Sequence, residues 1–233
     1  MTRRRKQQNP PLVTVEGKRV AVQTVERLST YRRVLEDLHS TGVQYVYSHQ
    51  LAQYVDVTPA QLRRDLSSFG SFGNISRGYD VLRLIATLSN LLGTTRVQSI
   101  ALVGLGNLGR TLLAYRGFLE RGFSIDLVFD SDPAKIGRVI AGRRCHDIED
   151  APQLLAERNV TIAVLACRAQ GLQKLINQLA EANVKSFLSF VPALITLPPG
   201  VHIELVDISA KLEKLSFLNH SVDTVAQATT VQE

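Results

Sequence analysis

Gly104, Gly106 and Gly109 form a G-x-G-x-x-G pattern inside IALVGLGNLGRTLLAY, after an apolar run and at the opening of a helix-forming run. In that setting the three glycines serve, in turn, a tight turn, close backbone approach to a diphosphate, and close packing of helix on strand. The helix start adds free N–H groups and a positive partial charge. Asp130 ends the next apolar run, IDLVFD, 21 residues past Gly109. A carboxylate there accepts hydrogen bonds from both hydroxyls of a ribose and repels a 2′-phosphate, which favours NAD(H) over NADP(H). Plainer readings stay open: a strand–helix turn that uses glycine for purely structural reasons, and a strand-end aspartate beside the turn-like Asp132-Pro133.

Catalysis on such a nucleotide needs a proton-transfer residue near the nicotinamide and a substrate domain. Only about 100 residues follow Asp130, enough to finish a nucleotide-binding sheet. His146 lies in the loop-like RRCHDIED and His202 on an expected strand, both read as surface or core histidines. His39, His49 and His220 fall near helix ends elsewhere. Cys167, in AVLACRAQ, follows an apolar run at a place that can border the nicotinamide pocket, but it reads first as a small buried residue. Cys145 and Cys167 make no disulfide framework and show no metal-ligand spacing. The expectation is a dinucleotide domain without chemistry: not an enzyme, and no metal.

The elements that position these residues follow from composition and periodicity. The chain has 233 residues, 45% of them apolar and 21% charged, which suits one or two buried cores and excludes disorder throughout. No apolar run reaches the roughly 18–20 residues of a membrane helix, and no apolar segment follows the basic MTRRRKQQNPP, so a cytoplasmic protein is expected. Residues 1–93 carry 13 Lys and Arg against 7 Asp and Glu, while residues 94–233 carry 14 of each. A basic front half beside a neutral back half points to a polyanion partner, with a solubilising tail as the bland alternative, since Arg3, Arg4, Arg5 and Lys6 lie in it.

Residues 1–20 read as a flexible basic arm and 21–93 as a DNA-binding domain. There, Val25, Leu28, Leu35 and Leu38 pattern a helix ending at Gly42, and Ser48 is expected to cap a two-turn helix broken near Asp56. Thr58-Pro59 opens a helix with Leu62 and Leu66 inside and Gln61, Arg63, Arg64 and Asp65 around its other faces. The glycines 70, 73 and 78 then space a hairpin ahead of a helix over 80–92, the outline of a winged helix-turn-helix. After residue 94 the rhythm becomes strand–helix. Buried strands are expected at Ile100–Val103, Ile125–Phe129, Ile162–Leu165, Phe187–Phe190 and Val201–Val206, with helices near 107–121, 150–158, 169–182 and 207–219. That makes 94–206 a Rossmann-like α/β domain, 207–219 a closing helix and 220–233 a frayed polar tail.

TPAQLRRDLSSFGSFG, the later GYD, VGLGNLGRTLLAYRGF, FDSDPAKIG and VDISAKLEKLSF, in order over roughly residues 22–219, together resemble the Rex family of redox-sensing transcriptional repressors. The resemblance implies a homodimer that binds palindromic double-stranded DNA operators when NADH is low and releases them when NADH binds, with NAD (NADH/NAD⁺) as the ligand. It implies that Gly104, Gly106, Asn107, Leu108 and Gly109 hold the pyrophosphate, Asp130 and Lys135 the adenosine ribose, with Tyr115 also at the nucleotide. Ser48, Gln61, Arg63, Arg64 and the wing residue Arg77 match DNA-binding positions. Arg33, Tyr115 and Asp207 match positions of a ligand-dependent switch, and the helix after Asp207 resembles a domain-swapped dimer element. The wing Gly73–Tyr79, the stretch Ala166–Gln170, Ser189–Pro192 and Ile208 depart from the family's usual residues. Two alternatives remain: a repressor using NAD(H) structurally or sensing another nucleotide, and a small NAD-dependent oxidoreductase.

Overall fold

A computed structural model describes residues 12–15, 18–70, 72–74 and 77–230, which divide into two units, Met1–Arg96 and Val97–Glu233. In the first unit, Leu12–Val15 (β1) and Lys18–Ala21 (β2) pair antiparallel, with Val13 opposite Val20. Val22–Ser40 (α1) follows, and Leu28, Tyr31 and Leu35, spaced three and four apart, are fully buried on one face. Tyr45–Val46 (β3) leads into Ser48–Tyr54 (α2) and Pro59–Ser67 (α3). Gly73–Asn74 (β4) and Gly78–Asp80 (β5) form the wing hairpin, in sheet order β3-β5-β4, ahead of Val81–Leu91 (α4). Leu51, Leu62, Leu66, Leu84 and Leu88 close the core between these helices. At about 1.5–3 kcal/mol per buried side chain, this packing rather than helix propensity holds the short helices. Thr58 Oγ1 accepts from the Gln61 N–H at 3.1 Å, with Pro59 at the first helical position.

Three expectations are corrected by this unit. The arm proposed over 1–20 contains the β1–β2 hairpin, and Val20 reaches the core; Arg3, Arg4, Arg5 and Lys6 lie outside the described residues. Ser48 is the first helical residue of α2 rather than its cap: Tyr47 takes the extended cap conformation, and its N–H donates to Gln50 Oε1 at 2.9 Å. Asp65 is not on an outer face but buried, only 4% exposed. It stands three residues after Leu62, which puts it on the same side of the helix.

The second unit is a seven-stranded sheet in the order β12-β11-β10-β6-β7-β9-β8. Its elements run Gln98–Val103 (β6), Asn107–Ala114 (α5), Gly117–Glu120 (α6), Phe123–Asp130 (β7), Val139–Ile140 (β8), Arg143–Asp147 (β9), Ala151–Glu157 (α7), Ile162–Leu165 (β10), Leu172–Glu181 (α8), Ser186–Ser189 (β11), His202–Leu205 (β12) and Ile208–Thr230 (α9). Every pairing is parallel except β8 with β9. Both sheet faces are covered: Val103, Leu127 and Phe129 pack under Leu155, Leu172 and Ile176, and Ile100, Leu102 and Val128 under Leu112, Leu113 and Phe118. From β6 the chain builds outward through β7 and β9, then returns to lay β10 on the opposite side of β6. The strand order therefore reverses between β6 and β10, where such sheets open a crevice beyond their strand ends.

Four further expectations change in this unit. The helix expected over 107–121 breaks at Tyr115–Arg116 into α5 and α6. RRCHDIED is not a loop: RRCHD is strand β9, which buries Cys145 against the sheet, and IED is a 3-10 turn. Val201–Val206 is no buried strand: β12 is an edge strand with His202 and Leu205 exposed. The closing helix does not fray at 220 but continues to Thr230. Among the described residues no helix is long and apolar enough to cross a membrane.

Candidate functional site

The switch point carries a cleft of about 720 Å³, built from the ends of β6, β7, β9 and β10. Gly104 lies at φ +99°, and a Cβ there would stand 2.6 Å from the Ala166 carbonyl oxygen. A Cβ on Gly109 would overlap the Gly104 carbonyl oxygen, so only glycine lets α5 sit this close to the strand end. At Gly106 a Cβ would meet nothing within 4 Å. The turn is thus closed at Gly104 and Gly109 and open at Gly106, which lines the cleft, the shape of a cradle for a diphosphate. Among the described residues no side chain caps the N-terminus of α5, so its first-turn N–H groups remain available for an anion.

Asp130, 8% exposed, lines the cleft on the β7 side. Its carboxylate accepts from the Leu105 N–H at 2.7 Å, the Asp132 N–H at 2.9 Å and Lys135 Nζ at 3.0 Å. Burial alone would push this carboxyl up, but those three donors outweigh it and hold the group below the usual carboxylate range. Asp130 is therefore anionic and fixed at neutral pH, and it braces the glycine turn as well as facing the cleft. Asn107 and Leu108 are exposed at the helix start. Tyr115 is not brought to the cleft: it lies past the far end of α5, 60% exposed, edge-on to Phe118. Cys167 borders the cleft, and burial raises its thiol pKa, away from a reactive thiolate. Among the described residues no cluster of three or more His, Cys, Asp or Glu could hold a metal.

In the first unit, Arg63 and Arg64 stand exposed on α3, and Arg77 is exposed at the wing turn. Arg63 Nη1 donates to Ser48 Oγ at 2.9 Å, tying the start of α2 to α3. Behind them lies an anchor. Asp65 accepts from Arg27 Nε at 2.6 Å and Nη2 at 2.8 Å, from the Tyr31 hydroxyl at 2.8 Å and from Gln61 Nε2 at 2.7 Å. Burial raises the Asp65 pKa, and the bonds from Arg27, Tyr31 and Gln61 overcome it, leaving the carboxyl below its ordinary value. A two-pronged Arg27–carboxylate pair with two further donors thus sets the roll of α3 on α1, and with it the direction of Arg63 and Arg64. Gln61, expected to be free for recognition, is half-buried and committed through its amide nitrogen.

Arg33, Tyr115 and Asp207, the three residues expected to form a switch, lie at different elements. Arg33 is exposed on α1 of the first unit. In the second, Asp207 Oδ1 caps α9 by accepting from the Ala210 N–H at 3.0 Å, and Tyr115 stands apart from the cleft as described. The sequence reading missed Asp65 with its partners, and Glu149 and Lys174 on the cleft wall. The i, i+3 spacing from Leu62 could have found Asp65. Nothing in the local pattern marks the other two, because Glu149, in the 3-10 turn after β9, and Lys174, on α8, reach the cleft only through the way the sheet is wound.

Comparison with known proteins agrees with this layout. Residues 19–67 match the family described as "Putative DNA-binding protein N-terminus" and residues 95–193 the "CoA binding domain" family. The redox-sensing transcriptional repressor Rex of Carboxydothermus hydrogenoformans is 40% identical over 203 residues, covering 87% of this chain and 98% of that one. The Rex of Roseiflexus sp. is 37% identical over 193 residues, covering 83% and 88%. Among solved structures, the Rex-family repressor RSP in complex with β-NAD⁺ and operator DNA superposes with a TM-score of 0.83 at 28% identity, covering 92% of this chain and 99% of that one. RSP with β-NADH gives 0.80 at the same identity, covering 90% and 98%. With a winged helix-turn-helix ahead of a Rossmann-like unit, and relatives matched over most of both lengths, this chain belongs to the Rex family of redox-sensing transcriptional repressors.

Proposed function

We propose that this protein is a cytoplasmic, homodimeric repressor that holds a palindromic operator when NADH is scarce and leaves it when NADH fills the cleft of its second unit. The observation that carries the reading is the glycine cradle, shut at Gly104 and Gly109 and open at Gly106, beside the fixed carboxylate of Asp130. Gly104, Gly106, Asn107, Leu108 and Gly109 take the pyrophosphate, and Asp130 with Lys135 the adenosine ribose. Asp130 gives up its Lys135 contact, or shares it, to reach a ribose hydroxyl. RSP is a Rex-family repressor solved with β-NAD⁺ and operator DNA and also with β-NADH, which supports the same ligands here.

Arg63 and Arg64 enter the major groove from α3, Ser48 and Gln61 support them, and Arg77 contacts the backbone from the wing. Arg63→Ala is expected to weaken operator binding by about 1–3 kcal/mol and to relax specificity at one base pair. Equal weakening across a panel of single-base operator variants would reassign Arg63 to a phosphate.

Dimerisation falls to α9. Ile208, Leu212, Leu215, Phe217 and Leu218 on it are 46% to 71% exposed, an apolar surface too large to leave in water. A second copy covers it, and Arg33, Tyr115 and Asp207 form the ligand-linked contacts of the assembled dimer. Two chains then present two copies of α3 at a fixed separation, which a palindrome matches. Anisotropy on a palindromic duplex and on a scrambled one, at one salt concentration, tests the reading. The expected result is two chains per duplex and at least about a thousandfold preference for the palindrome. One chain per duplex with equal affinity for both sequences would contradict it.

A further inference from the structure

The glycine turn offers a diphosphate only neutral donors and the end of a helix. That end is worth roughly half a positive charge, against the two negative charges of a dinucleotide's bridge. Three cationic side chains line the cleft: Lys135, Arg168 and Lys174. Lys135 is committed to two carboxylates, 3.0 Å from Asp130 and 3.4 Å from Asp132. Arg168 and Lys174 make no hydrogen bond or ion pair among the described residues, and both are exposed at the cleft wall.

The backbone fixes where Arg168 stands. The Ala166 N–H donates to the Val103 carbonyl at 2.9 Å, joining the end of β10 to the end of β6. A Cβ on Gly104 would come within 2.6 Å of the Ala166 oxygen and 2.8 Å of the Cys167 Cα. The β10–α8 loop therefore lies directly against the glycine turn, and Arg168 is the next residue along it. Lys174 follows in the first turn of α8. Charge in the cleft is divided accordingly. Asp130, Asp132 and Glu149 gather at the β7 and β9 ends, and the two uncommitted cations stand on the β10–α8 wall.

We infer that Arg168, seconded by Lys174, binds the diphosphate of the nucleotide across the cleft from the α5 N-terminus. This rests on the reading that the cleft takes NAD(H). The guanidinium's fork suits two phosphate oxygens, and it supplies from the opposite wall the charge the glycine turn lacks. Because the diphosphate is common to both redox forms, this contact adds affinity without choosing between NADH and NAD⁺. The choice then lies with other residues.

The test is calorimetric titration of the full-length protein and its Arg168→Gln and Lys174→Gln variants with NADH, NAD⁺, ADP-ribose and adenosine. The wild-type protein is expected to bind the first three. Arg168→Gln should weaken all three by a similar factor, about tenfold, and Lys174→Gln by less, with adenosine unchanged. Raising the salt should weaken the wild type more than Arg168→Gln. Unchanged ADP-ribose affinity in Arg168→Gln would overturn the inference, as would an equal loss for adenosine. A change confined to NADH or NAD⁺ would also overturn it, by placing Arg168 at the nicotinamide. A wild-type protein that binds neither NADH nor ADP-ribose would instead refute the nucleotide reading itself.

Discussion

Asp65→Ala is expected to destabilise the first unit by about 3 kcal/mol and to abolish specific operator binding at temperatures where the wild type still binds. Removing one member of a buried ion pair costs about 3–5 kcal/mol because it strands its partner. Here the Arg27 side chain keeps 29% of its exposure and can turn to water, which sets the loss at the low end. Tyr31, with no exposure, cannot do so and is left with an unpaired hydroxyl. The effect on recognition exceeds the effect on folding, since the same carboxylate fixes the roll of α3. Urea unfolding checks the first part, and operator anisotropy at a temperature where both proteins are folded checks the second.

The same network sets a pH dependence with a definite sign. The Asp65 carboxyl titrates lower in the folded protein than in the unfolded chain. Its contribution is therefore complete above the unfolded value, about 4, and disappears as pH falls through the folded value. Wild-type stability should drop on acidification below about pH 4 more steeply than that of Asp65→Asn. Parallel acid profiles for the two proteins would show that the pair contributes nothing.

Gly106→Val is expected to weaken NADH binding at least about a hundredfold, equivalent to about 2.7 kcal/mol, while leaving the protein folded. A Cβ at Gly106 meets no atom of the described residues within 4 Å and the backbone there is at φ −72°, so the fold has room for a branched side chain. The cost to the fold is the poorer helix cap, about 1 kcal/mol. What the isopropyl group fills is the space over the free N–H groups of α5, where the diphosphate must come. Gly109→Ala makes the opposite case. Its methyl group would overlap the Gly104 carbonyl, so the second unit should lose stability before any ligand is added. A Gly106→Val protein that binds NADH as tightly as the wild type would show that the nucleotide does not lie on this turn.

What the sequence showed, and what it concealed, divides along local and long-range physics. The glycine turn, Thr58-Pro59 and the Leu62–Leu66 face are set by spacing within one or two helical turns, and they read correctly. Asp65 was misplaced because charge normally marks a solvent face, and its partners Arg27 and Tyr31 lie 38 and 34 residues away. Strand β9 was missed because RRCHD lacks an apolar run. It is held by its pairing with β7 and by one inward residue, Cys145. Tyr115 matches the family's motif, yet it stands away from the cleft, 60% exposed and edge-on to Phe118, because the helix breaks there and turns it off the nucleotide wall. The continuation of α9 to Thr230 escaped notice because its last turns are polar and carry no amphipathic signal.

NADH, and not NAD⁺, is expected to remove this protein from its operator. NADH is neutral at the nicotinamide and NAD⁺ is positively charged there. The pocket can shift a two-state protein only by as much as its affinity differs between the states. Operator binding followed by anisotropy at fixed protein and salt, with either nucleotide added in parallel, measures this directly. NADH is expected to dissociate the complex at concentrations where NAD⁺ leaves it intact. An operator affinity that both nucleotides leave unchanged, in a protein shown by calorimetry to bind them, would contradict it.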